Sequence, residues 1–204
     1  MGCDIHLYVE KKVKGNWICI NPMIFSHWGD YKTRKLGSVF DDRNYELFGF
    51  LAQVRGTNEN GFEAKGFPVN ASPTVKSEYK DWDGNSHSAN SLTLEELHDK
   101  LKGTVKVSGM MEKHQLLALK QSITRCLATG AKPNWALLYP YCENTTDKSH
   151  TKFTIPVPML ILFERFRLKV IDFMEEHADF SDTGIPPNRL STDSSVRIVF
   201  WFDN

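Results

Sequence analysis

The feature that most constrains this chain is how its sequence begins and ends. Met1-Gly2-Cys3-Asp4-Ile5-His6-Leu7-Tyr8-Val9-Glu10 alternates with a period of two, the pattern of a strand with two unlike faces. Cys3, Ile5, Leu7 and Val9 point one way, toward a core, and Asp4, His6, Tyr8 and Glu10 point the other. At the opposite end, Ile198 to Phe202 is wholly apolar and is followed by Asp203-Asn204. A buried strand that stops on an acid and an amide needs a reason. The expectation is that the two terminal strands share one sheet and deliver Asp4, His6 and Asp203 to one pocket.

At 204 residues the chain can bury one core, and a single α+β domain over 1–204 is expected. Twenty-five basic and 25 acidic residues cancel, so no overall field draws in nucleic acid or an anionic membrane, and any polyanion must be met locally. Cys3, Cys19, Cys126 and Cys142 form no C-x-x-C pair, which argues against a zinc ribbon and supplies no disulfide framework. The start does not resemble a signal peptide, and the longest apolar stretch, Ile155 to Phe163, is short and interrupted by prolines. A cytoplasmic protein with reduced thiols and no membrane partner is the resulting expectation.

Along the chain, Gly15-Asn16 marks a turn, and Trp17 to Ile20 returns as the second strand of a hairpin. Met23 to Asp41 shows no period and reads as loop, with His27 beside Gly29-Asp30 as a candidate ligand there. Asp42 reads as an N-cap before an amphipathic helix over 44–55, stopped by Gly56. Arg43 and Arg55, at its two ends, carry planar guanidinium forks suited to carboxylate or phosphate. Residues 57–83 read as a long loop compatible with a short helix over Pro73 to Trp82, and His87 as a loop residue. Thr93-Leu94-Glu95-Glu96 is a capping box that opens a helix through about Leu101. Val105 and Val107 lie in a linker or short strand, and Met110 to Thr129 reads as a helix. Residues 130–158 read as irregular apart from a short strand near Trp135 and Leu137 to Tyr141. Met159 to His177 reads as the longest helix, with Glu164, Arg165, Arg167 and Lys169 on its solvated side, and a loop with Pro186-Pro187 leads to the last strand. The fold expected is a mixed or antiparallel sheet containing both terminal strands, packed by about three main helices.

No dinucleotide-binding, P-loop, zincin, α/β-hydrolase or kinase motif occurs. Asp4-x-His6, Gly29-Asp30 and Gly84-Asn85-x-x-His87 follow the order of short motifs in binuclear metallophosphoesterases, without the apolar strands those motifs normally follow. Cys3 is two residues from the start and, by alternation, faces the core, which disfavours an N-terminal nucleophile.

Four blocks resemble an uncharacterised family of bacteriophage and prophage proteins. They are Met1-Gly2-Cys3-Asp4-Ile5-His6, the segment from Arg43-Asn44-Tyr45 to Val54-Arg55, the run His87-Ser88-x-x-Ser91-Leu92-Thr93-Leu94, and Val196 to Asp203. The resemblance implies a phage accessory protein acting in the host cytosol, where such proteins bind host proteins or handle nucleotides.

Three functional expectations follow. The first is a pocket for a phosphorylated small molecule, such as a nucleotide immune signal of the host that the phage sequesters. There Arg43 and Arg55 hold phosphate, Tyr8, Tyr45 and Trp201 stack a base, and Asp4, His6, His87, Asn44 and Ser88 supply polar contacts. The second is a hydrolase, such as a nucleotide phosphodiesterase, with His6, His87 and Asp4 as catalytic groups. In it Asp4, His6 and Asp203 bind a divalent Zn, Mn or Fe ion; no cofactor is required by the other readings. The third is a protein inhibitor of a host enzyme acting by surface contact. Oligomeric assembly is compatible with all three.

Overall fold

The computed structural model describes residues 2–28, 31–55, 61–82, 84–130, 149–178 and 195–203. Gly29-Asp30, Gly56, the 135–141 strand, Cys142, Pro186-Pro187 and Asn204 lie outside the described residues. The chain divides into two compact units, 1–100 with 165–204 and 101–164.

The larger unit is built on a four-stranded antiparallel sheet in which β1 (Asp4–Val13) and β8 (Val196–Asp203) are the central pair. They are flanked by β2 (Asn16–Cys19) and β5 (His87–Thr93), in the order β2-β1-β8-β5. The two ends of the sequence are therefore sheet neighbours, registered from Asp4 opposite Asp203 to Lys11 opposite Val196. β8 is buried on both faces, from Val196 through Phe202, which is why it reads as an unbroken apolar run. The β1–β2 turn is Lys14-Gly15, both at positive φ. This is the mirror-image turn that matches strand twist, and glycine takes its second position without strain.

Cross-strand partners share a face and successive residues alternate, so the sheet has two distinct surfaces. Ile5, Leu7, Val9, Phe200 and Phe202 line one, on which α1 (Tyr45–Ala52) packs through Phe48, 4.9 Å from Phe202. His6, Tyr8, Val199 and Trp201 line the other, under α2 (Pro73–Lys80), with Ala71, Val75 and Ala89 buried and Phe67, Tyr79 and Trp82 packed around them. Ser72 caps α2 through the Val75 N–H, and Pro73 occupies the first helical position, where its missing N–H costs nothing. The face carrying Asp4, His6, Tyr8 and Glu10, read as pointing away from the core, is therefore mostly covered.

Several expectations need correction. The segment read as loop after Met23 contains a second hairpin, β3 (Met23–Trp28) with β4 (Tyr31–Leu36), so His27 and Trp28 belong to a strand. The N-cap of α1 is Asn44, not Asp42, and the helix ends at Gln53 in the left-handed conformation. The Asp42 carboxylate instead lies 3.1 Å from Arg165. His87 begins strand β5 rather than sitting in a loop. The helix expected over Met159 to His177 is interrupted: α5 (Met159–Leu162) ends at Phe163, and α6 (Glu164–Phe166) runs through a π turn (Arg167–Ile171) into α7 (Asp172–His177). Glu164, assigned to the solvated side, is buried. The capping box does form: the Thr93 N–H donates to Glu96 Oε2 and the Glu96 N–H to Thr93 Oγ1, opening α3 (Leu94–Leu101).

The smaller unit is a two-stranded ribbon, β6 (Thr104–Glu112) paired with β7 (His150–Pro158), together with α4 (Lys113–Thr129) and α5. Its core is separate, made of Met111, Leu119, Ile123, Cys126, Phe153, Ile155, Val157 and Ile161. Met110 to Glu112, expected to start the helix, finishes β6 instead. No helix among the described residues is long and apolar enough to cross a membrane.

Candidate functional site

The ionisable groups converge at the end of the larger unit's sheet where β1 begins and β8 stops. Asp4 and Asp203 stand directly opposite each other, and the Asp4 N–H donates to Asp203 Oδ1 at 3.0 Å. Two residues on, the His6 ring is on the same face, with Nε2 3.4 Å from Asp203 Oδ2. That distance permits an ion pair, yet the alignment is not that of a hydrogen bond, and Nε2 is buried without a partner. Such atoms are uncommon in native proteins and point to a group that completes them.

Arg43, just before α1, reaches back to β1 and grips Asp4 through both Nε and Nη2, the latter 2.8 Å from Oδ2. The Arg43 guanidinium holds the Asp4 carboxyl below the usual carboxylate range, and Asp4 in turn raises Arg43. The fork lies over Gly2, where an added Cβ would come 2.9 Å from Arg43 Nη1 and oblige the guanidinium to shift. Arg43 remains 57% exposed. Arg55, held at φ 58 beyond the end of α1, reaches the Cys3 thiol. Burial pushes that thiol up while the Arg55 guanidinium opposes the rise, so Cys3 is no ready nucleophile. Arg43, Asp4, Asp203 and His6 thus meet where the strands end, while Arg55 reaches Cys3, the neighbour of Asp4.

The other expected residues are placed differently. Trp201 is fully buried, its ring stacked against His6 at 5.7 Å and Tyr8 at 5.1 Å with Tyr79 edge-on, so it offers no face to a base. Tyr8 donates its hydroxyl to Glu78 across the covered face, and burial, with Glu78 beside it, drives its ionisation well above the ordinary range. Asn44 is occupied in capping α1. Tyr45 is exposed, packed edge-on against Phe48.

His87 pairs with Phe202 and packs its ring on it, which puts it on the sheet face opposite His6. A bulge at Ser88, with φ 50, separates it from the regular part of β5; its Nδ1 lies 3.1 Å from Ser88 Oγ and its Nε2 is buried without a partner. The expected union of His87 and Ser88 with Asp4 and His6 is therefore corrected by the pleat. Glu10, placed on the outer face with the candidate groups, is completely buried and paired with Arg197 at 2.7 Å.

The donor set does not suit a metal. Asp4 is committed to a guanidinium, so a cation drawn to it would sit beside a fixed positive charge. Among the described residues no group of three or more His, Cys, Asp or Glu side chains is arranged to hold an ion. The hydrolase reading through Asp4, His6 and Asp203 accordingly supplies no step.

Sequence reasoning missed two features. Gly2 lies directly under the Arg43 guanidinium. Trp82, which packs on His6 with ring centroids 4.0 Å apart, was passed over inside a long irregular stretch. Its signal was positional, a tryptophan at the end of a short helix before Gly84-Asn85. Compared with protein-family models, curated proteins and solved structures, the chain finds no match.

Proposed function

We propose that this chain binds a small phosphorylated molecule at the end of the β1–β8 pair, with Arg43 as the principal phosphate contact and Arg55 and His6 beside it. The observation that carries the reading is the half-exposed Arg43 fork held on Asp4, whose N–H donates to Asp203, with His6 Nε2 3.4 Å from the same Asp203. In that arrangement the guanidinium is already oriented by a carboxylate. An oriented fork loses less freedom on gripping an anion than a loose side chain does. On the resemblance to phage proteins, the ligand we infer is a nucleotide signal of the infected host, sequestered in its cytosol rather than turned over.

The test is calorimetric titration of the purified protein with inorganic phosphate and ribose 5-phosphate, repeated on Arg43→Gln. Binding of the sugar phosphate that weakens about tenfold or more in the variant is the expected result, the scale of one charge-assisted hydrogen-bonding group. Absence of binding at millimolar concentrations, or equal affinity in the variant, would overturn it.

A further inference from the structure

The buried face of the larger sheet carries a run of four rings. Tyr8 lies against Trp201 at 5.1 Å and 16°, Trp201 against His6 at 5.7 Å and 19°, and His6 against Trp82 at 4.0 Å and 38°. The run passes from the core toward the end of the sheet where the charges gather. Its inner members are closed off: Trp201 is fully buried, and Tyr8 is tied to Glu78. Its outermost member is not. Trp82 is only half-buried, follows α2 directly, and among the described residues has no ring or cation contact other than His6.

A tryptophan anchored on one face by a ring from the core is a stacking surface of fixed orientation. It is also close to the phosphate contact. Trp82 packs on His6, and His6 and Asp4 are two residues apart on one strand face, about 7 Å. The Asp4 carboxylate is itself in the grip of Arg43. The Trp82 ring and the Arg43 fork are thus joined through two intervening side chains, His6 and Asp4.

We infer that Trp82 is the base platform of this site, so that the ligand is a nucleotide whose heterocycle extends the Tyr8–Trp201–His6–Trp82 run while its phosphate lies on Arg43. This rests on the proposed phosphate contact and adds to it the residue that holds the base. The platform supplies a flat apolar face rather than a pattern of donors and acceptors, and such stacking tolerates every base. The site therefore selects for the presence of a base more than for its identity, with larger purine rings covering more of the indole.

The experiment compares AMP, CMP and ribose 5-phosphate by calorimetry on wild type, Trp82→Leu and Trp82→Phe. In wild type AMP binds roughly tenfold or more tighter than ribose 5-phosphate, the scale of one base–aromatic stack, with CMP between them. In Trp82→Leu the advantage of AMP collapses while ribose 5-phosphate binds as in wild type, which also shows that the variant is folded; Trp82→Phe keeps part of the advantage. Equal binding of AMP and ribose 5-phosphate to wild type overturns the base platform and leaves the phosphate contact standing. An AMP advantage that survives in Trp82→Leu overturns the assignment to Trp82. Failure of all three ligands to bind removes the phosphate contact and the platform together.

Discussion

Charges in this protein are placed by what each can reach, and the contrast between Asp4 and Glu10 shows it. Both lie on the same face of β1, three side-chain rows apart. Glu10 is completely buried, and each of its oxygens is used: Oε1 accepts from the Ser72 N–H at 2.6 Å and Oε2 from Arg197. Arg197 also donates to Asn70 and lies 4.0 Å over the Trp17 ring. That satisfied network is structural, because a buried ion is tolerable only when its remaining hydrogen-bonding capacity is met. Asp4 keeps an exposed partner, and its coupling to stability is open to titration. Its carboxyl is lowered in the folded chain by the Arg43 hydrogen bonds. The stability it contributes is therefore complete above the unfolded carboxylate value, about pH 4, and is lost as pH falls through the lower folded value. Urea midpoints measured from pH 6 to pH 2 should show Arg43→Gln losing less stability with acid than wild type, the two curves converging at the acidic end. Parallel curves would mean that the Arg43–Asp4 contact carries no such linkage.

At the scale of elements, local chemistry was legible wherever it used a backbone rule. The Thr93–Glu96 box, Pro73 at the start of α2, and the turn read at Gly15-Asn16 are all decided within four residues; the structure has the first two as read and sets the turn one residue earlier, at Lys14-Gly15, with Asn16 already in β2. What escaped were strands whose partners lie far away or whose pattern is interrupted. β7 holds Pro156 and Pro158, which look like strand breakers. Two residues apart, they fall on the same side of a two-stranded ribbon, where the missing N–H groups can point away from the partner. The alternation Phe153, Ile155, Val157 then survives intact and is buried. The long C-terminal helix failed for the opposite reason. Its apolar periodicity is real, but Phe163 leaves helical geometry and a π turn shifts the phase from Arg167, which a regular 3.6-residue template cannot represent. The capping box offers a direct check. Thr93→Ala removes the acceptor for the Glu96 N–H and should cost about 1 kcal/mol in chemical denaturation. Glu96→Gln can still bond the Thr93 N–H and should cost less through the cap, although it also gives up the 2.7 Å pair with Lys65. A Thr93→Ala variant as stable as wild type would show that α3 is held by its tertiary contacts alone.

For the whole molecule, the decisive fact is that the ends of the sequence form the middle of a sheet. That much followed from two apolar patterns and one odd terminus. Which side chains would then be available did not, because alternation assigns a face but not what covers it. Trp201 and Tyr8 looked like ring surfaces for a ligand and are sealed by α2 and its neighbours, whereas Trp82, read only as the end of a short helix, holds the outer position. The same architecture makes β8 indispensable to the larger unit, since it pairs with β1 on one side and β5 on the other. Val196, Ile198, Val199, Phe200, Trp201 and Phe202 are all completely buried. At about 1.5–3 kcal/mol for each large apolar side chain, their removal forfeits on the order of 10–15 kcal/mol, as much as the entire net stability of a typical domain. A chain ending at Ser195 should therefore lose amide protection throughout β1, β2 and β5 in hydrogen exchange. In the smaller unit, Phe153, Ile155 and Val157 pack in a core that contains none of these residues, so β6, β7 and α4 should retain protection if that core is sufficient for them. Protection of β1 in the shortened chain would mean that the sheet can be completed without its central strand, and the site at its end would need another explanation.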